Sequence, residues 1–438
     1  MITWYSIDTA GKLFPSVASQ GNSSFFRVAA VLKEPVDRDI FQKAIERVRP
    51  RFSFFFVRLR QGIFWNYLEE NYEPFLVQEE IDCPCIASSF GRHDSQLIRF
   101  LYFGNRLSIE LFHSITDGSA AIEFLKAILF AYSLILAEKK NESVLPESEG
   151  KIVNIQGTPV IDDYENSFLR FTRMNRKGAK LEIRNFAPNS YHINGTMLPG
   201  NYIGVITGVF DSAQLNKYAR SLDATITGYL VALLIYSIYS ARLKFSAEKK
   251  PVVVSVPVNL RKQFPSATFR NFFAIANISF SFYDNSYENS EELFRSIIRS
   301  VTIQLKKLTG KENMQREIDK NIFFDRNSIG RWVPLKIKHL FVRQGFNLLG
   351  ETKKTISLSN MGEMSLPSGT APLVAHAETL LYPTPRSPIN CSVVSVNGIM
   401  SVSFTKSIEE TDIIRSFFML FKQQTGLSVM VYSNDIER

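Results

Sequence analysis

Cysteine is scarce: Cys83, Cys85 and Cys391 are the only three in 438 residues. They fit no disulfide framework and no zinc-ligand spacing, so a stapled secreted scaffold and a structural zinc site are both excluded. Cys83-Pro84-Cys85 has no partner ligands elsewhere in the chain, which leaves reduced thiols. No block of consecutive basic residues accompanies the formal net charge of +9. A diffuse positive balance attracts polyanions, phosphorylated cofactors and acidic carrier proteins alike, without choosing among them. None of the nucleic-acid-binding module signatures is present, so nucleic acid is not an expected partner. The opening residues, MITWYSIDTAGKLFP, carry neither the basic nor the apolar region of a signal peptide. The longest apolar run, ITGYLVALLIYSIYSARL (226–243), is interrupted by Thr227, Ser237 and Ser240 and is read as too short to span a bilayer. A cytoplasmic protein without membrane association is the expectation.

What the chain does contain is a globular composition, 45% hydrophobic and 21% charged. Its length exceeds one ordinary core, so two lobes are expected. Phenylalanine occurs 36 times, which suits large apolar interiors or an apolar ligand channel. The first third reads as mixed α/β: a strand at 23–32, a helix at 36–48, strands at 52–59 and 63–68. Gly104-Asn105 then separates two alternating runs in 96–112, the mark of a β-hairpin. Residues 139–200 lose periodicity and read as a long connection. From 202 the pattern resumes: a strand to 210, a helix capped by Asp211 or Ser212, and a buried helix near 225–243. Strands at 251–260 and 273–283 follow, with an amphipathic helix at 290–308. The tail carries strands near 355–359, 391–396 and 399–405, then a helix near 410–425. The expected fold class is α/β, with two lobes built on mixed sheets.

Only five histidines are present, and one ends the strand LSIELFH. Leu107, Ile109, Leu111 and His113 share a strand face by parity, which directs the imidazole inward. A helix follows at once, its stripe formed by Ala121, Ile122, Leu125, Ile128, Leu129 and Tyr132. The intervening turn is therefore held between two rigid elements. An imidazole there, with an ordinary pKa near 6.5, is mostly neutral at pH 7, and burial favours that form further. Such a group serves as a general base when one ring nitrogen is held and the other faces a cavity. Asp117 is a candidate holder. Equally, Asp117 could pin the loop through Arg49, Arg51, Arg58 or Arg261. A satisfied core histidine is the plain alternative.

His113-Ser114-Ile115-Thr116-Asp117-Gly118 resembles the HxxxDG motif of the chloramphenicol acetyltransferase-like superfamily, which includes alcohol acyltransferases, plant BAHD acyltransferases and peptide-synthetase condensation domains. The stretches 4–15, 49–70 and 97–129 are similar to the bacterial alcohol acetyltransferase-like branch. VPVNLR (256–261), Asn271 and SLSNMG (357–362) resemble its later landmarks. The resemblance implies two chloramphenicol acetyltransferase-like lobes, 1–170 with the motif and 201–438, joined through 171–200, with an active-site channel between them. It implies transfer of an acyl group from acyl-CoA or an acyl carrier protein thioester to an alcohol or amine. His113 would be the general base, attack would be direct, and no acyl-enzyme would form. No permanently bound cofactor and no metal is implied, and a monomer is expected. Asp117 and Gly118 would shape the motif loop. Ser359 and Asn360 are candidates for lining the channel or holding the oxyanion, although SNMG also suits a plain turn. Asn259 and Arg261 would support the channel or meet the thioester's phosphates, with a salt bridge to Asp117 the alternative for Arg261. Phe112 stands where condensation domains and chloramphenicol acetyltransferase carry a second histidine, and the plant DFGWG element is absent. A catalytically degenerate member that binds an apolar ligand or partner is the competing reading. The basic, apolar segment 330–354 reads as a lid or lobe-packing element, with a membrane-surface role as its alternative.

Overall fold

A computed structural model describes residues 3–19, 21–86, 96–141, 154–173, 189–282, 289–326, 333–346 and 350–434. The Gly104-Asn105 turn joins β6 (Ile98–Phe103) to β7 (Arg106–Phe112) as an antiparallel pair. Gly104 has φ +53°, a conformation that glycine adopts without steric cost. β7 also pairs with β2 (Phe25–Leu32), and the five-stranded sheet runs β12-β2-β7-β6-β5, with β5 at Val77–Glu79 and β12 at Val374–Leu380. One strand from beyond residue 201, β12, thus completes the sheet that carries the motif.

Helix α2 (Arg38–Val48) starts where the Asp37 side chain accepts from the Asp39 and Ile40 amides, at 3.0 and 3.1 Å. With α3 (Gly118–Lys140) it covers one face of this sheet, burying Phe41, Ile45 and Val48 against Leu125, Ile128 and Leu129. The opposite face is also closed, over a network of charges. Arg27 bonds Glu110 at 2.7 Å and Glu80 at 2.8 Å, and Arg99 reaches Glu110 at 2.6 Å. Every residue of β7 from Leu107 to Phe112 is consequently buried, polar and apolar positions alike.

A strand is expected over 52–59, but Ser53–Phe55 forms a 3-10 turn and β3 begins only at Val57, ending at Gln61. Phe54, Phe55 and Phe56 are all buried, and a strand with one wet face cannot bury consecutive side chains. They enter an aromatic cluster instead, with Phe55 on Phe124 at 4.5 Å and Phe52 on Phe269 at 5.5 Å between centroids. Packing absorbs these phenylalanines. β3 joins β4 (Asn66–Glu70) and β1 (Trp4–Ser6) in a three-stranded sheet.

The second lobe is a mixed seven-stranded sheet, ordered β10-β9-β11-β13-β14-β8-β15. Its strands are β8 (Gly204–Asp211), β9 (Val252–Asn259), β10 (Phe273–Phe280), β11 (Ile356–Glu363), β13 (Ile389–Val396), β14 (Ile399–Lys406) and β15 (Met430–Ser433). Asp211 is the cap of α6 (Ser212–Ser221), accepting from the Gln214 amide at 2.7 Å. Helix α7 (Ile226–Ile238) is buried at every residue from Gly228 on and packs with α8 (Ser290–Leu308) and α11 (Asp412–Thr425). Among the described residues two helical stretches, α3 and 226–243, are long and apolar enough by length and composition to cross a membrane, so the second is not too short after all. Both lie two-thirds buried inside the fold, which explains their composition.

Of the long connection, 142–153 and 174–188 lie outside the described residues. Between them α4 (Ile161–Tyr164) and α5 (Ser167–Phe171) pack on the body of the protein, held where Arg51 grips Asp163 at 2.6 and 2.9 Å. Helix α9 (Lys311–Arg326) lies against α5. The basic, apolar segment forms α10 (Leu335–Gly345), whose first amide donates to the Ile63 carbonyl at 2.9 Å. It also lies against α1 (Phe14–Val17).

Candidate active site

His113 follows β7 directly, and its amide donates to the Ser24 carbonyl at 2.9 Å, extending the sheet by one rung. Its ring is half-buried between aromatic faces. Phe14 stacks on it at 4.2 Å between centroids, with Phe26 at 4.9 Å and Phe273 at 5.6 Å. The next four residues, Ser114 to Asp117, are buried. They are held from two sides. The Ser114 hydroxyl donates to the Gly11 carbonyl at 2.7 Å, and the Thr116 hydroxyl to the Phe269 carbonyl at 2.7 Å. Arg270 donates from Nη1 to the Ile115 carbonyl at 3.0 Å, and the Phe272 amide donates to Asp117 Oδ2 at 2.8 Å. Residues 268–272 therefore cross the motif loop and clamp it.

Asp117 caps α3 by accepting from the Ala120 amide at 3.0 Å. Among the four arginines considered for it, Arg261 is the partner, at 2.9 Å to Oδ2 and 3.2 Å to Oδ1. The others are engaged elsewhere: Arg51 with Asp163, Arg58 with Glu69 and Arg49 with the Asn71 carbonyl. Arg261 also donates to the carbonyls of Thr268 and Arg270, so its guanidinium ties the motif to the crossing segment. Asn259 turns the chain into position by accepting from the Arg261 amide at 3.0 Å.

The residue that meets the imidazole is Asn271. Its Oδ1 lies 3.0 Å from His113 Nδ1, while its Nδ2 lies 2.9 Å from Asp8 Oδ2 and 3.0 Å from the His113 carbonyl. Asp117, the holder considered from sequence, is not the one in contact with the ring nitrogen. Burial pushes the His113 pKa below the usual imidazole value, only partly opposed by neighbouring carbonyls, the Asp117 charge and the Asn271 bond. The ring is thus a neutral base at pH 7.

Ser359 and Asn360 lie on β11, whose pairing with β13 is irregular between Asn360 and Glu363. Asn360 donates to the Thr227 hydroxyl at 2.9 Å and accepts from the Gly362 amide at 2.9 Å. The next side chain, Met361, reaches the motif. A Cβ on Gly118 would fall 2.3 Å from Met361 Cε, so a larger residue there would displace the end of this flexible side chain. β11 therefore brings its tip to the start of α3. Phe112 is fully buried against Phe25, at 5.3 Å between centroids, so a single imidazole serves the site. Among the described residues no group of three histidine, cysteine or acidic side chains is placed to hold a metal.

No protein-family model and no curated protein matches the chain. Solved structures match it along nearly its whole length. Polyketide synthase associated protein 5 from Mycobacterium tuberculosis aligns at 13% identity and TM-score 0.60, covering 96% of this chain and 97% of its own. Trichothecene 15-O-acetyltransferase from Fusarium sporotrichioides aligns at 8% identity and TM-score 0.64, with coverage of 97% and 95%. TRI101 of F. sporotrichioides, solved with coenzyme A and T-2, aligns at 11% identity and TM-score 0.61, with coverage of 98% and 99%. This is the coenzyme A-dependent acyltransferase fold. The epimerization domain of tyrocidine synthetase B shares it as well, at 13% identity and TM-score 0.56. At such identities the likeness concerns the acyltransferase fold alone, and the site must carry the chemistry.

Neither Asp8 nor the role of Asn271 was legible in the sequence. Asn271 stands out there only as a landmark of the resemblance, and Asp8 only as part of 4–15. They lie 158 and 105 residues from His113, so no spacing rule connects them.

Proposed function

We propose that the protein is an acyltransferase, moving an acyl group from acyl-CoA or an acyl carrier protein thioester to an alcohol or amine. One observation supports this most: His113 is a neutral imidazole whose Nδ1 faces the Asn271 carbonyl oxygen at 3.0 Å, in a residue half-buried among Phe14, Phe26 and Phe273. That oxygen can only accept, so Nδ1 carries the proton and Nε2 holds the lone pair. Nε2 removes the proton from the acceptor hydroxyl or amine as that group attacks the thioester carbonyl. The tetrahedral adduct collapses with loss of the thiolate, which recovers the proton from Nε2. No side chain is acylated. Ser359 and Asn360, on the strand that reaches the motif, are the candidates to meet the oxyanion. Asp117 and Arg261 hold the loop and do not touch the reacting atoms in this scheme. The alcohol acetyltransferase-like branch, a cytoplasmic location and a monomeric state complete the proposal.

The test is thiol release from acetyl-CoA and longer acyl-CoAs with a panel of alcohols and amines. His113→Ala is expected to lower turnover by about a hundredfold to ten-thousandfold, the range of a positioned base. If that variant equals the wild type on every active substrate, the assignment fails. Ligand-induced stabilisation without thiol release by the wild type would instead favour a binding protein.

A further inference from the structure

Asn271 contacts three groups, and two of them leave no choice about its orientation. Asp8 Oδ2 and the His113 carbonyl are both acceptors, at 2.9 and 3.0 Å from Nδ2. The two amide hydrogens are consumed there, so the oxygen must face the imidazole. Asp8 itself cannot swing away. Its Oδ1 accepts from the Gly11 amide at 2.7 Å, and Oδ2 also takes the Asn271 amide at 3.2 Å. It is 1% exposed, and burial raises the pKa of its carboxyl, opposed only in part by the Asn271 and Gly11 hydrogen bonds and the charge of the buried Arg270 guanidinium. Arg270 packs against the rings of Tyr5 and Phe54, and its Nε and Nη2 make no hydrogen bond. Burial lowers its pKa only to about 10, so it remains a cation at pH 7.

We infer that Asp8 is a positioning residue for His113, acting through Asn271 to keep the imidazole proton on Nδ1 and the lone pair on Nε2. The chain Asp8–Asn271–His113 does what an orienting carboxylate does in a hydrolase triad, with an amide inserted between acid and imidazole. The inserted amide changes the electrostatics. A carboxylate bonded directly to the ring would favour imidazolium. Asn271 fixes the same tautomer with a neutral group, and the carboxylate stays one residue removed.

The claim about the tautomer stands on geometry alone. Its consequence for rate rests on the acyltransferase reading, and the experiment separates the two. Nitrogen-15 imidazole shifts of the full-length protein at pH 8, assigned by loss of signal in His113→Gln, report the tautomer directly. Wild type is expected to show the Nδ1-protonated form. In Asp8→Asn the new side chain can offer Asn271 either a donor or an acceptor, so the hold on the amide's orientation weakens to the His113 carbonyl alone. The His113 signal is expected to shift toward the Nε2-protonated form, with kcat for thiol release falling about tenfold to a hundredfold and KM within about threefold. Adding Asn271→Asp to Asp8→Asn presents a carboxylate to Nδ1 directly. The double variant is expected to restore the wild-type tautomer and most of kcat, with an acid limb at higher pH than wild type. An Nε2-protonated wild type, or an unchanged tautomer in a folded Asp8→Asn, overturns the inference. A shifted tautomer with undiminished turnover leaves the positioning role of Asp8 intact and refutes His113 as the base. If Asp8→Asn fails to fold, the wild-type spectrum and the double variant decide.

Discussion

Replacing Asp117 with alanine removes three contacts at once: the ion pair to Arg261, the cap on α3 and the acceptor for the Phe272 amide. The carboxylate side chain is 6% exposed and that of Arg261 15%, so the pair is largely shielded from water. Breaking a buried pair by removing one partner costs about 3–5 kcal/mol. The lost cap is worth about 1 kcal/mol, and an orphaned buried amide about 1–3 kcal/mol. These contributions share one carboxylate and do not add fully. Arg261 also keeps its bonds to the Thr268 and Arg270 carbonyls, which softens the loss. The expected cost is about 4 kcal/mol, and about 2 kcal/mol for Asp117→Asn, which keeps the cap and loses the charge. Urea unfolding followed by circular dichroism measures both, with the slope checked so that a changed denatured state is not mistaken for lost stability. A double-mutant cycle with Arg261→Met isolates the pair, with a coupling above about 1 kcal/mol expected. A cost below about 1 kcal/mol for Asp117→Ala, or no coupling, would refute the anchor role.

The pH dependence follows from His113. Its folded pKa lies below the unfolded value because burial disfavours the imidazolium. The unfolded chain therefore binds more protons below about pH 6.5, and this group's contribution to stability is complete above that pH and lost as pH falls toward the folded pKa. The acid limb of kcat/KM is expected below pH 6.5 by the same shift, and a limb above that value would contradict it. Gly11→Ala would place a Cβ 2.7 Å from the Ser114 carbonyl oxygen and 2.8 Å from Ile7 Cγ2, backbone and core atoms that cannot yield freely. It is expected to cost about 2–3 kcal/mol by thermal unfolding and to depress turnover through the motif loop, and a neutral outcome would be inconsistent with the clamp. Burial raises the thiol pKa of Cys85 and Cys391, so a thiol reagent at pH 8 is expected to label at most Cys83 in the native protein. All three cysteines should react in denaturant, and fast native labelling of Cys391 would refute its placement in the second core.

Local rules were sufficient wherever one face of an element is wet or a cap is spelled out in neighbouring residues. The β6–β7 hairpin, the Asp211 cap, the amphipathic α2 and α8, and the inward His113 all follow from period and turn chemistry. They failed where both faces are buried. VAHAETL hides the strand character of β12 behind His376 and Glu378, yet Glu378 is buried and takes the Tyr432 hydroxyl. The run Phe54–Phe56 resembles a strand in sequence for the same reason, since continuous burial erases alternation. Which of four arginines holds Asp117, and which residue holds the imidazole, were decisions of tertiary structure. Asp8 and Asn271 lie 263 residues apart and share a hydrogen bond only because β1 and the segment leading into β10 converge on one loop. The sequence by itself determined the inward histidine and the rigid turn that presents it, because both depend on adjacent residues. The proton's place on that ring is set by side chains that only the folded lobes bring together.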